Sequence, residues 1–286
     1  MLNQFLLAEE LPYFSVVSAC VMDLENLYPI QICFGGITNS VPVGFDNVSS
    51  DIDLFLVYEG IGRLPTDMIS LFNTAIPCGS IEAKLIPVEM INCPGENYCY
   101  PGVDPAWTRK RRLWNYEELP GNRNVEQSTL LTQIIYNRML FDPDNYLETH
   151  LQRYASGLYI YDVLKRCYVW AKGRLKHYLK DEKVRVRTYL YAFYEVMLAE
   201  WIVKNKTYPQ PMFLPLMDQS SKGVIKNELL NLYTNNKTAS LDKENVLVPI
   251  NNQLNDWLGT HLKGLSKQLL EFYENDKDAT FDLKQS

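Results

Sequence analysis

The sequence predicts an α+β fold, a small sheet followed by a helical domain. Three observations predict it. Short apolar runs bounded by turn residues fill the N-terminal part. Apolar residues three and four apart, the period of a helix, dominate the chain after Val125. Between the two, Pro94, Gly95, Pro101, Gly102, Pro105, Pro120 and Gly121 crowd residues 92–124. A connection that long and irregular is uncommon inside a compact domain. The boundary is therefore expected at 124–125, giving domains 1–124 and 125–286.

The elements follow in order. Residues 5–28 mix apolar and polar positions and fit either a helix or a strand plus a helix. Ile30-Gln31-Ile32-Cys33-Phe34-Gly35-Gly36-Ile37 reads as a strand, 38–50 as a loop and 51–58 as a second strand. Gly60-Ile61-Gly62-Arg63-Leu64-Pro65 breaks that strand, and Thr66-Asp67 is placed to cap a short helix through Asn73. Residues 81–91 read as a third strand, interrupted by Pro87. Helical patterns cover 129–140, 146–178, 185–205, 221–234 and 252–276. Tyr208-Pro209-Gln210-Pro211 stops the third of these, and the polar tail from Asn275 is expected to fray.

Composition narrows the function classes. The 286 residues are 47% hydrophobic and 22% charged, enough for a substantial core. The net charge is −6 and the pI about 5.2, which argues against a whole-molecule, nonspecific nucleic-acid binder. Nineteen Tyr offer surfaces for stacking, though most aromatic residues are expected in the core. No apolar run reaches the roughly 20 residues that span a bilayer, and the first residues lack the basic start of a signal peptide. Six cysteines without a CxxC pair and three scattered histidines make a zinc site a poor expectation. Free thiols in a reducing cytoplasm are the simplest reading.

The most informative stretch is Asn39-Ser40-Val41-Pro42-Val43-Gly44-Phe45-Asp46-Asn47-Val48-Ser49-Ser50-Asp51-Ile52-Asp53. A turn-rich loop opens on a small hydroxyl residue and closes on two carboxylates at the head of a strand. Side chains on a strand alternate faces, so Asp51 and Asp53 point the same way while Ile52, Leu54 and Leu56 enter the core. Two parallel carboxylates repel unless a cation lies between them. A hard metal such as Mg²⁺ uses that arrangement when it also holds phosphates. A lone Asp-x-Asp also describes a solvated strand end, so the surrounding residues decide.

Those residues resemble the signature of the DNA polymerase beta-like nucleotidyltransferase superfamily: Gly-Ser, a loop, then Ser-Asp-x-Asp and an apolar run. Ser40 stands eleven positions before Asp51, Gly44-Phe45 falls where many members carry Gly-Phe, and Ser50 precedes Asp51. Asn39 stands where the family has Gly, and Val41 where Arg is frequent. The resemblance implies a small mixed sheet with helices on one side and a helical domain closing the cleft. It implies transfer of a nucleoside monophosphate from a nucleoside triphosphate to a hydroxyl, with two Mg²⁺ on three carboxylates. Asp51 and Asp53 would be shared metal ligands. The third would be Glu89, in the family's apolar-acid-apolar pattern, with Glu82 as its rival. Ser40, Ser50 and the backbone around Gly36 and Asn39 would hold the triphosphate. ATP is the expected nucleotide.

Two basic clusters suit an anionic substrate. Arg109-Lys110-Arg111-Arg112 lies between Trp107 and Trp114, pairing charge with stacking surface. The second contains Lys172, Arg174, Lys176, Lys180, Lys183, Arg185 and Arg187. Either also fits a solvated surface. The run containing the second cluster resembles the RNA repair pathway DNA polymerase beta family, predicted nucleotidyltransferases of bacteria and phages. Arg187-Thr188-Tyr189-Leu190-Tyr191 and Ala199-Glu200-Trp201-Ile202 carry that resemblance. It places Lys172 and Arg187 among the nucleotide-binding candidates and favours an RNA end as acceptor.

A small hydroxylated molecule or a protein hydroxyl stays open as acceptor, as does a role in a toxin–antitoxin or phage-defence system. The rival of another class is a non-catalytic nucleotide- or RNA-binding module. The third carboxylate separates the classes: without Glu89 or Glu82 beside Asp51 and Asp53, two-metal chemistry lacks a ligand. A cytoplasmic protein with no membrane partner is expected, and oligomeric state is left open.

Overall fold

The computed structural model describes residues 14–38, 40–47, 50–60, 68–72, 80–88, 139–141, 157–207, 209, 212–239, 246–276 and 279. The fold is α+β, as expected. Helix α1 (Phe14–Leu27) leads into strand β1 (Ile30–Ile37), and a single helical turn, α2 (Ser40–Val43), opens the loop before β2 (Ile52–Gly60). Strands β3 (Met68–Phe72), β4 (Ser80–Pro87) and β5 (Met139–Phe141) complete a mixed sheet of order β3-β4-β2-β1-β5. β2 runs parallel to β4 and antiparallel to β1, while β3 and β5 are antiparallel edges.

The helical part follows. It contains α3 (Gly157–His177), β6 (Lys183–Arg185), α4 (Val186–Asn205), α5 (Phe213–Ser220), α6 (Gly223–Lys237), β7 (Leu247–Pro249) and α7 (Asn252–Asp276). β6 and β7 form a separate two-stranded antiparallel sheet. α4 is the central helix. It is buried at Tyr189, Leu190, Phe193, Val196, Met197 and Ile202, and α3, α5, α6 and α7 pack around it. Its end is fixed twice: Lys206 takes a left-handed conformation at φ 57°, and its ammonium pairs with Asp276 at the end of α7.

The sheet has two buried faces, and the strand period sorts them. Ile52, Leu54 and Leu56 join Ile81, Ala83 and Leu85 beneath Leu24 of α1. The alternate residues Phe55, Val57 and Ile86 join the large core built on α3 and α4. Helices therefore cover both faces rather than the one side that the resemblance implied. Gly35 permits the tight β1–β2 contact, since a Cβ there would lie 2.5 Å from Leu56 Cδ2 and 2.8 Å from the Phe55 carbonyl oxygen.

One expected helix is corrected, and a second lies mostly outside the described residues. The one starting at Thr66-Asp67 contains β3, in which Met68 to Phe72 pair along β4. An apolar, partly β-branched and aromatic segment beside an open sheet edge follows the edge rather than a nearby capping residue. The pattern over 129–140 ends in β5, which pairs with Gly35 and Gly36 of β1. The expected third strand stops at Pro87, which cannot donate to a ladder. Strand β5 lies beyond the boundary expected at 124–125 and belongs to the sheet. The junction loop with Arg109-Lys110-Arg111-Arg112 lies outside the described residues. α5, which follows the proline-rich stop, was not anticipated.

Candidate metal and nucleotide site

β2 and β4 place the acids. Asp53 and Glu82 are direct partners across the parallel pair, on the face shared by Phe55 and Ile86. Asp51 precedes β2 by one residue. Carboxylate oxygens of Asp51, Asp53 and Glu82 lie within 4.8 Å of one another, all half-buried. Three hard oxygen ligands at that spacing make a site able to hold a divalent cation. Such crowded anions gain most from a counter-charge. Glu82 is thus the acid that joins the pair, and Glu89, the one preferred from sequence, lies outside the described residues.

The signature loop is held from both ends. Thr38 N donates to the Asp53 carbonyl oxygen at 2.7 Å, tying the end of β1 to the acid strand. Ser40 is buried, and its carbonyl accepts from Phe45 N at 2.7 Å across the α2 turn. Gly44 sits at φ 82°, a left-handed conformation that suits glycine. The turn drives Phe45, fully buried, into an aromatic cluster. Its ring centroid lies 5.0 Å from Tyr191 and 5.0 Å from Phe213. The Gly-Phe pair noticed in the sequence makes a turn and a buried plug.

Cations reach the loop from the helical part. Arg187 Nη2 donates to Ser50 Oγ at 2.6 Å, one residue before Asp51. Lys237 Nζ pairs with Asp46 at 2.8 Å. Tyr191 joins the sheet site to the helices. The charges of Arg187, Arg174, Asp53 and Glu195 all reach its hydroxyl, and burial, the largest cause, pushes its pKa up to about 12. Arg174 is paired with the buried Glu195 and lies over the Trp170 and Tyr191 rings. Burial raises the Glu195 pKa, and Arg174 opposes that rise.

The remaining sequence candidates distribute as follows. Ser40, Ser50 and Arg187 belong to the loop and its supports. Gly36 sits inside β1, paired with Phe55 on one side and Met139 on the other, rather than on the turn. Asn39 lies outside the described residues. Lys172 lines a separate groove with Leu175, Lys176, Leu179, Lys180, Ile250 and Asn255. The second basic cluster therefore divides. Arg174 and Arg187 turn inward, while Lys176, Lys180, Lys183 and Arg185 are exposed. Sequence reasoning missed Tyr191 as a site neighbour, although it had quoted that residue in the family resemblance, and it missed Asn236 altogether.

The comparison with known families bears on the helical part. Residues 146–283 match the RNA repair pathway DNA polymerase beta family. The match takes in α3 to α7, with Arg174, Arg187 and Tyr191, and stops short of the acid-bearing strands. It agrees with the expectation drawn from Arg187 to Tyr191 and from Ala199 to Ile202. No curated protein matches the chain. No helix among the described residues is long and apolar enough to cross a membrane.

Proposed function

We propose that the protein is a Mg²⁺-dependent nucleotidyltransferase, moving a nucleoside monophosphate from a nucleoside triphosphate, ATP first among candidates, to the hydroxyl of an RNA end. The observation that carries this reading is the carboxylate triad Asp51, Asp53 and Glu82, with Arg187 held one residue away on Ser50. A bound Mg²⁺ pair would neutralise phosphate charge and lower the pKa of the attacking hydroxyl. Asp51 and Asp53 are the shared ligands in this reading, and Glu82 takes the role that the sequence offered first to Glu89. The hydroxyl oxygen attacks the α-phosphorus and the bond to pyrophosphate breaks. In this reading Glu82 would accept the hydroxyl proton. Arg187 offers positive charge for the departing phosphates. The family match supports the nucleotide and the RNA acceptor.

The test is incubation with each α-³²P-labelled nucleoside triphosphate, Mg²⁺ and total RNA, comparing wild type with the Asp51→Ala/Asp53→Ala variant. Label on RNA from the wild type alone is the expected result. Mg²⁺-dependent nucleotide binding without RNA labelling would redirect the reading to a small-molecule or protein acceptor. Absence of such binding would leave a non-catalytic module.

A further inference from the structure

Asn236 is 2% exposed at the last turn of α6, far from the acids in sequence and absent from every motif above. Its side-chain amide and its backbone carbonyl reach the signature loop and its arginine. Its side-chain Nδ2 donates to the Phe45 carbonyl oxygen at 2.7 Å. Its Oδ1 accepts from Arg187 Nε at 3.2 Å. Its backbone carbonyl accepts from Asn47 Nδ2 at 3.2 Å. Arg187 then continues to Ser50 Oγ, and Ser50 Oγ accepts from the Asn47 amide at 2.9 Å. The contacts close a ring: Asn236, Arg187, Ser50, Asn47 and back to Asn236. Neighbours on the same helix face add to it. Tyr233 sits where its hydroxyl would meet a Cβ on Gly44 at 3.4 Å, and Lys237 pairs with Asp46.

We infer that Asn236 is a positioning residue for nucleotidyl transfer, locking the Asp51-bearing loop and the Arg187 guanidinium into one hydrogen-bonded unit. This rests on the proposed reaction of the triad. The physical argument is economy of donors. An arginine that spends Nε on Asn236 and Nη2 on Ser50 has its guanidinium plane fixed, which leaves its remaining N–H groups aimed without the entropy of a free side chain. A buried amide can satisfy a carbonyl and a guanidinium at once, because it carries both a donor and an acceptor. Alanine can do neither. A leucine would strand the Phe45 carbonyl and the Arg187 Nε as buried polar groups.

The test compares the full-length wild type with Asn236→Ala and Asn236→Asp in two readouts. One is turnover with labelled nucleotide at saturation. The other is hydrogen exchange at the amides of Gly44, Phe45 and Asn47, measured well below each protein's unfolding temperature. Asn236→Asp preserves size and the acceptor for Arg187 while removing the donor to Phe45, so it yields a folded protein should alanine not. The expected result is faster exchange at those amides in both variants and a kcat lower by about 100-fold in Asn236→Ala, the loss typical of a misplacement of roughly 1 Å. Asn236→Asp recovers part of the kcat loss because Arg187 stays held. Folded variants with wild-type kcat and wild-type exchange would overturn the inference. So would slower turnover with unchanged exchange. A wild type that transfers no nucleotide would overturn the reading of the site, and the loop lock would then stand or fall on the exchange result alone.

Discussion

The two faces of the β2–β4 pair share a backbone and differ in chemistry. The face under α1 is apolar along its length: Ile52, Leu54, Leu56, Ile81, Ala83 and Leu85 are all buried. The face under α3 and α4 carries Asp53, Glu82 and the half-buried Lys84 before the apolar Val57 and Ile86, with Phe55 buried beside Lys84. One strand period separates a sealed layer from a layer with charge at its rim. The half-buried rim lets carboxylates keep partial solvation, while the apolar layer beneath fixes the strands that aim them. The α1 face is apolar throughout, whereas the other face combines the larger core with a charged rim.

Substitutions should separate the two faces, the largest effect coming from the acids. Asp53→Ala should lower nucleotide transfer by about 1,000-fold, the scale of several kcal/mol of lost charge stabilisation. Leu54→Ala, one residue on and facing α1, should instead lower stability. Urea unfolding should show a loss of about 2–5 kcal/mol, with residual activity per folded molecule near wild type.

The basic stretch offers a second contrast. Arg187→Ala should weaken Mg²⁺-nucleotide binding by about tenfold or more, as expected when a charged hydrogen-bond partner is lost. Titration of binding by calorimetry measures it.

Asp162 on α3 sharpens the contrast by pH. Burial pushes its carboxyl up to about 7 from an ordinary 3.8, with Lys165 opposing. A raised acid pKa means that the folded state favours the protonated form. Its stabilising contribution is therefore full below about pH 4 and fades as pH rises through about 7. Asp162→Asn should raise Tm at pH 8 relative to wild type, and the advantage should vanish near pH 4. The smallest effect is expected from Lys172→Ala, in the separate groove: a change in nucleotide affinity under about twofold, as for a solvated surface charge.

Much of this was legible in the sequence, for local reasons. β1, β2 and the helices over 185–205 and 252–276 carry their own period, and the structure returns α4 and α7 within a residue of those bounds. Asp51 and Asp53 were readable because a strand fixes the side on which its residues lie. That Glu82 joins the pair rests on Asp53 facing Glu82 across a parallel pair. Register of that kind is a nonlocal property. β3 and β5 are edge strands whose identity comes from the neighbour they pair with. Asn236 gave no signal, since an asparagine near a helix end is ordinary, and its contact to Phe45 spans 191 positions. The basic cluster failed as a unit for the same reason. Helix packing decides which cations turn inward, and it chose the two arginines.

The most direct test of the account is a side-by-side transfer assay with Glu82→Gln and Glu89→Gln, using the labelled nucleotide that the wild type prefers. If Glu82 completes the triad, Glu82→Gln loses transfer to RNA while Glu89→Gln retains it. Retention by Glu82→Gln together with loss in Glu89→Gln would contradict the account and return the third ligand to the residue that the sequence first favoured.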